Sequence, residues 1–383
     1  MKKIAIVVQR YGIEVNGGSE LYSRLLAEKL EHIYDIEVLT TCARDYTTWE
    51  NYYPEGISDV NGVCVRRFTV EKTRDMQSFN TLTVEPVNPQ TEQIWIDEQG
   101  PYCTAIIDYI KANKEHYDVF IFMTYLYYIT VRGMIEVKDK AILIPTAHDE
   151  VPIYFNVFKD VFNSPRAIVY NAEEERDFVY KLFLNQNITD DIIGIGIDIP
   201  TDSYPDHFKE KYSVSDYLLY TGRIEEGKNC LELFKYFTEY KKRNPSGLKL
   251  VLMGKEIIEV PKHPDIISLG FVNDDDRING MAGAKLFILP SFNESLSLVV
   301  LESMASGVPV VINSKCKVVK GHCLKSNAGL YYSDYFEFEG CINYLLIHDD
   351  VYRLMSRNAR LYIEKNYHWD LITEKFKRLI EII

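Results

Sequence analysis

Short, wholly apolar runs alternate with longer amphipathic stretches over most of the chain, and polar turns mark each change. The runs at 3–8, 35–41, 118–123, 141–145 and 166–170 are too uniformly apolar for surface elements, which predicts strands covered on both faces of a parallel sheet. Between them, 19–30, 105–112 and a segment from 171 or 172 to 183 carry apolar residues at helical spacing. The pattern then restarts, with strands expected at 217–220, 248–253, 266–269, 286–289 and 310–312 and helices at 229–241, 274–282 and 298–304. The tail from 352 to 383 reads as two or three helical segments broken near 366–369. Asn61-Gly62 beside Val63, Val65 and Phe68 predicts a tight turn and a strand. The stretch 73–101, with prolines at 86 and 89, shows no clear period and is expected to be irregular, as is the loop 46–56. Their aromatic residues Trp49, Tyr52, Tyr53, Trp95 and Tyr102 could stack on the flat faces of a ligand, and packing explains them about as well.

Strands alternating with helices specify doubly wound α/β sheets, and two successive sets imply two Rossmann-like halves. A length of 383 residues agrees with two domains. The polar, proline-bearing stretch 200–205 is the expected linker, giving a first domain over 1–201, a second over 202–361 and a C-terminal helix over 362–383. Hydrophobic residues at 46% exclude a disordered chain. The net charge of −13 lies almost wholly in residues 1–200, which hold 19 basic against 31 acidic side chains. That half is poorly suited to nucleic acid or to a bare anionic membrane. Seven scattered cysteines without a C-x-x-C pair read as those of a reduced, cytosolic protein. The apolar run near residue 1 is too short for a signal peptide, and no segment approaches the roughly 20 apolar residues of a membrane span.

The chemistry concentrates at 286–313, LFILPSFNESLSLVVLESMASGVPVVIN, read as strand, loop, helix, strand. Ligands of such a unit bind beyond the strand's carboxyl end, against the helix N-terminus, whose free N–H groups suit a phosphate. Glu294 lies in that loop and Glu302 within the apolar helix. Carboxylates there would repel an anion, so they are better placed to accept hydrogen bonds from hydroxyls. Phosphate and hydroxyls together describe a sugar nucleotide. Glu294 and Glu302, with seven residues between them and framed by Pro290, Ser291, Gly307 and Pro309, closely resemble the E-x7-E element of the retaining glycosyltransferases of family 4.

Other segments extend the resemblance. TGRIEEGKN, with Arg223 and Lys228 between strand and helix, is similar to the family's G-R-x4-K element, whose two cations bind the donor diphosphate. PTAHDE, holding His148, resembles the segment whose histidine reaches the donor sugar. Gly17-Gly18 after the first strand matches the family's donor-side glycine loop, where a backbone without Cβ atoms admits close approach. Carried over, Glu294 would contact sugar hydroxyls, the N–H groups of Ser295, Leu296, Ser297 and Leu298 would help bind phosphate, and Glu302 would hold the ribose. The resemblance implies a GT-B fold, with two Rossmann-like domains facing a cleft and a C-terminal helix crossing back to the first.

The implied activity is transfer of a sugar from a nucleotide-sugar donor, such as a UDP- or GDP-sugar, to a hydroxyl of a glycan or lipid-linked acceptor. It would serve cell-surface polysaccharide synthesis in the cytoplasm, with peripheral contact at the inner face of the membrane. No cofactor or metal is implied, since no D-x-D pair falls in a strand-end loop; Asp274–Asp276 caps a helix instead. A GT-B sugar-nucleotide epimerase and a catalytically silent sugar-nucleotide-binding subunit remain as alternatives, and the oligomeric state is not legible. The chain departs from the family where Ser295 and Ser297 replace frequent glycines, and at KCKVVKGHCLKSNAGLYY, where a glycine-rich return is common. Cys316, His322 and Cys323 there suggest zinc, but no fourth ligand stands at usual spacing.

Overall fold

The computed structural model describes residues 1–15, 17–82 and 88–383; Asn16 and Pro86, both within segments read above, lie outside the described residues. Contacts divide the chain into two units, Met1–Ile195 with Ile372–Ile383, and Gly196–Leu371. The junctions expected after 201 and 361 therefore fall elsewhere. Residues 196–201 pack with the second unit, where Gly196 leaves room for the Trp369 ring and the Ile197 N–H donates to the Tyr367 carbonyl at 2.8 Å. The helix Asp349–Asn366 also runs unbroken past the expected second junction.

The first unit holds an eight-stranded sheet: β1 Lys3–Val7, β2 Asp35–Thr41, β3 Gly56–Val60, β4 Val63–Phe68, β5 Val119–Met123, β6 Ala141–Ile144, β7 Ala167–Tyr170 and β8 Thr189–Ile192. Their order is β3-β4-β2-β1-β5-β6-β7-β8, parallel except for the β3–β4 hairpin turned by Asn61-Gly62. The fully buried runs of β5, β6 and β7 agree with a sheet covered on both faces. Strand succession reverses between β1 and β5, so the carboxyl ends of these two strands form the unit's switch point. The last helix, Trp369–Ile382, contributes its later turns to this unit: Lys2 Nζ donates to the Ile380 carbonyl at 2.8 Å, and Lys375 Nζ to that of Ile192 at 2.9 Å.

The expectation of an irregular 73–101 is corrected. Met76–Leu82 and Pro89–Gln99 are helices, the second opened by a capping box in which Asn88 and Thr91 exchange hydrogen bonds, with Pro89 at the first helical position. The prolines masked a helix start. Trp95 is 2% exposed, edge-on to Phe155 at 5.2 Å, and Trp49 is fully buried with its Nε1 donating to the Gln99 carbonyl at 2.8 Å. These two rings are core, whereas Tyr52 is 55% exposed.

The second unit holds a six-stranded, wholly parallel sheet: β9 Tyr217–Thr221, β10 Lys249–Met253, β11 Ile266–Ser268, β12 Leu286–Leu289, β13 Val310–Asn313 and β14 Gly329–Tyr332. The order β11-β10-β9-β12-β13-β14 puts the switch point between β9 and β12. The segment without a sequence assignment, after β13, is the helix Lys317–Ser326 leading into β14. Among the described residues no helix is long and apolar enough to cross a membrane.

Candidate functional site

At the switch point of the second sheet, the carboxyl ends of β9 and β12 each feed a loop, and the two loops are tied together. Gly222 follows β9 at φ +146°, its N–H on the Met253 carbonyl at 2.9 Å. Asn229, left-handed at φ +58°, ends the first loop; its side chain donates to the Pro290 carbonyl at 3.1 Å and to Glu232 at 2.9 Å. Between these anchors stand the two expected cations. Lys228 Nζ meets Glu294 Oε1 at 2.8 Å, with both side chains mostly covered. Arg223 Nη2 meets Glu225 Oε1 at 3.0 Å. Thus Lys228 and Glu294, separated by 66 residues, come into direct contact.

Beyond Glu294, the loop enters the helix Leu298–Ala305 through Ser297, which adopts φ +66°. A non-glycine residue there carries a penalty of about 1 kcal/mol, and this is one of the two positions where serine replaces a frequent glycine. The Ser297 hydroxyl offsets nothing, being buried with no hydrogen-bond partner among the described residues. The hydroxyls of Thr221, at the end of β9, and Ser291, just past β12, share that condition. Buried hydroxyls are ordinarily bonded, so three such groups around one switch point mark a place suited to a polar ligand. The N–H groups of Ser297 and Leu298, at the N-cap and first position of the same helix, are of the kind a helix leaves without internal partners, and Ser295 and Leu296 stand in the loop just before it.

Glu302 projects from that helix to Arg277 Nη1 at 2.6 Å, and the same guanidinium reaches Asp274 Oδ1 from Nη2 at 3.2 Å. Burial raises the Glu302 carboxyl above its ordinary pKa, and Arg277 opposes the shift. Arg277 was missed in the sequence because it belongs to no motif, and the acidic turn beside it reads only as a helix cap. His322, whose zinc reading found no fourth ligand in the sequence, is held by two hydrogen bonds. Its Nε2 lies 3.0 Å from the Leu296 carbonyl and its Nδ1 3.0 Å from the Tyr362 hydroxyl, so it braces the Glu294 loop from behind. Burial lowers its pKa from 6.5 to about 4, so the ring is neutral near pH 7.

Gly17, Gly18 and His148 belong to the other unit. Gly17 precedes the helix Gly18–Leu30, and a Cβ on it would lie 2.2 Å from Glu20 Oε2 and 3.2 Å from Arg10 Nη2. Its small size thus admits the buried Arg10–Glu20 pair, which packs beneath the loop. A Cβ on Gly18 would meet nothing within 4 Å. His148 follows β6 through Thr146, left-handed at φ +52°. Its Nε2 is 3.5 Å from Glu150 Oε2, and its Nδ1 is buried without a partner among the described residues.

Against known proteins, residues 215–345 match the profile of the family described as Glycosyl transferases group 1. That stretch contains β9 to β14 and every candidate residue of the second unit. The O-antigen chain mannosyltransferase B of Escherichia coli is 26% identical over 186 residues, 45% of this chain and 48% of that protein, so the match spans about half the length of that relative. An uncharacterized glycosyltransferase of Methanocaldococcus jannaschii is 22% identical over 342 residues, 82% of this chain and 80% of that one. The Anabaena protein HepE, solved in complex with UDP and glucose, superposes with a TM-score of 0.72 at 14% identity, covering 100% of both chains. The fold is GT-B, and the matches together support a glycosyltransferase.

Two outcomes follow from this geometry. Ser297→Gly relieves a left-handed serine whose hydroxyl caps nothing, so urea denaturation should show stabilisation by about 1 kcal/mol; a loss of stability would contradict the strain. His322 holds fewer protons folded than unfolded between pH 6.5 and about 4, so its contribution is present above that window and is lost as the pH falls through it. The thermal midpoint of the wild type should therefore drop more steeply across that range than that of His322→Gln, and parallel curves would contradict the assignment.

Proposed function

We propose that the protein is a retaining glycosyltransferase of the family 4 type, using a nucleotide-sugar donor. The observation that carries this reading is the Lys228–Glu294 contact at the β9–β12 switch point, beside a helix N-terminus and three unpartnered buried hydroxyls. A diphosphate suits this place: N–H groups and a helix dipole favour an anion, and Arg223 and Lys228 supply full charges. Each cation is held by a carboxylate, so donor binding exchanges one anion for another rather than bringing a bare charge into place.

In this reading Glu294 turns to the sugar hydroxyls as Lys228 engages phosphate, and Glu302, held in its rotamer by Arg277, accepts from the ribose. The acceptor hydroxyl attacks C1 on the face the diphosphate leaves. The bond from C1 to the phosphate oxygen breaks as the new glycosidic bond forms, and the acceptor proton passes to that departing oxygen. The protein's contribution is electrostatic, from Arg223, Lys228 and the N–H groups at Ser297. His148 acts toward the donor sugar, a role that rests on the resemblance of PTAHDE. The relative named for O-antigen chains supports a glycan or lipid-linked acceptor and a place in cell-surface polysaccharide synthesis. The HepE complex supports a nucleotide-sugar donor.

Steady-state kinetics on isosteric variants tests the two glutamates. Glu294 faces a sugar that gains positive charge as its bond breaks, so Glu294→Gln should lower kcat at least tenfold, roughly 1.4 kcal/mol. Glu302 faces a ribose that does not change, so Glu302→Gln should raise the donor KM with kcat little altered. A deeper kcat defect in Glu302→Gln would reverse the assignment. Because Arg223 and Lys228 occupy the electrostatic role a divalent ion plays elsewhere, turnover should persist in excess EDTA. Loss on chelation, restored by Mg²⁺ or Mn²⁺, would overturn the metal-independent reading.

A further inference from the structure

In the first unit, Glu175 is 1% exposed, and among the described residues no basic side chain offsets the burial of its carboxyl. It stands in the first turn of the helix Glu173–Phe183, which already has Glu173 and Glu174 to complement its dipole. Its two carboxyl oxygens are used separately. Oε2 accepts from the Asn171 N–H at 2.6 Å, the reach back to the chain entering the helix that a glutamate at this position often makes. Oε1 accepts from the Ala147 N–H at 2.5 Å, 28 residues away in sequence and immediately before His148. Helix capping accounts for the first bond and not for the second.

The second bond has a physical purpose. Thr146, just upstream, is a β-branched residue at φ +52°, a conformation disfavoured by about 1–3 kcal/mol unless its surroundings impose it. The clamp on Ala147 fixes the next peptide and so sets the direction in which His148 leaves β6. The Asn171 side chain also bonds to the carboxyl, and Tyr170 and Tyr22 lie close enough to feel its charge, Tyr22 being bonded through its hydroxyl to the Gly194 carbonyl. Burial pushes the Glu175 pKa up to about 8, so keeping a carboxyl here costs stability that an apolar residue would not.

We infer that Glu175 is a positioning residue of sugar transfer: by tying Ala147 to Asn171 it holds the loop after β6 so that His148 is presented in its working direction. The inference rests on the proposed role of His148 toward the donor sugar and adds to it the residue through which that role is set.

The test uses the full-length protein with His148→Ala, Glu175→Asp, Glu175→Ala, Glu175→Gln and the His148→Ala/Glu175→Ala double variant, following kcat, donor KM and thermal midpoint. Glu175→Asp still complements the helix dipole but is a methylene too short to reach both amides, and it remains decisive if Glu175→Ala does not fold. Expected are a tenfold or larger fall in kcat for Glu175→Asp and Glu175→Ala, with the donor KM within about twofold of wild type. Glu175→Gln, whose single carboxamide oxygen can accept from only one of the two amides, should recover part of the loss and not all of it. The double variant should be no slower than His148→Ala alone, because the clamp has nothing left to position. If His148→Ala is slow yet the two losses multiply, the clamp acts elsewhere and the inference falls, while the reading of His148 stands. If His148→Ala turns over like wild type, the role of His148 fails and the inference goes with it.

Discussion

An ammonium and a carboxylate 2.8 Å apart, on loops that leave neighbouring parallel strands, are the contact around which the second unit is arranged. The sheet order determines where such a contact can form. Strand succession reverses only between β9 and β12, so the loops after these two strands diverge around a gap, and side chains from both can meet there. Asn229 on the Pro290 carbonyl and the Glu232 link to Asn313 hold the strand-end loops at working distance. With the loops fixed, a short stretch of chain supplies cations, carboxylates, buried hydroxyls and a helix N-terminus together.

Rigidity at this place comes from strained or costly groups held by neighbours. Ser297 is left-handed without relief from its own hydroxyl. His322, neutral through burial, grips the Leu296 carbonyl one residue before it. Thr146 in the first unit is strained in the same sense and adjoins a peptide clamped by buried Glu175. Arg277 anchors Glu302 in a helix that is otherwise apolar. Each of these groups sets the direction of a loop or a carboxylate. Strain concentrated next to candidate site residues is the pattern expected where positioning was selected over stability.

Periodicity was enough to read the strands and most helices, since buried parallel strands and amphipathic helices leave strong patterns. The E-x7-E spacing likewise pointed to Glu294 and Glu302, which the fold brings beside Lys228 and Arg277. The helix Pro89–Gln99 was read as irregular because its first proline, a start signal, resembles a breaker. Gly17 was read as a route for ligand approach, and its missing Cβ makes room for Glu20 and Arg10. Arg277, His322 and Glu175 act through partners 25, 26 and 28 residues away, and no local pattern carries that information. Long-range hydrogen bonds to buried polar groups are where sequence reading stopped.

The central claim, that the β9–β12 switch point binds a nucleotide sugar, meets its most direct test in thermal denaturation against UDP, GDP, CMP, dTDP and ADP sugars, with Lys228→Ala run alongside. A ligand at a hundred times its dissociation constant stabilises the folded state by about 2.7 kcal/mol, a clear rise in midpoint. The account predicts that one base class raises the wild-type midpoint and that Lys228→Ala loses most of the rise. If no nucleotide sugar moves the wild-type midpoint, or if Lys228→Ala responds as fully as the wild type, the claim is contradicted.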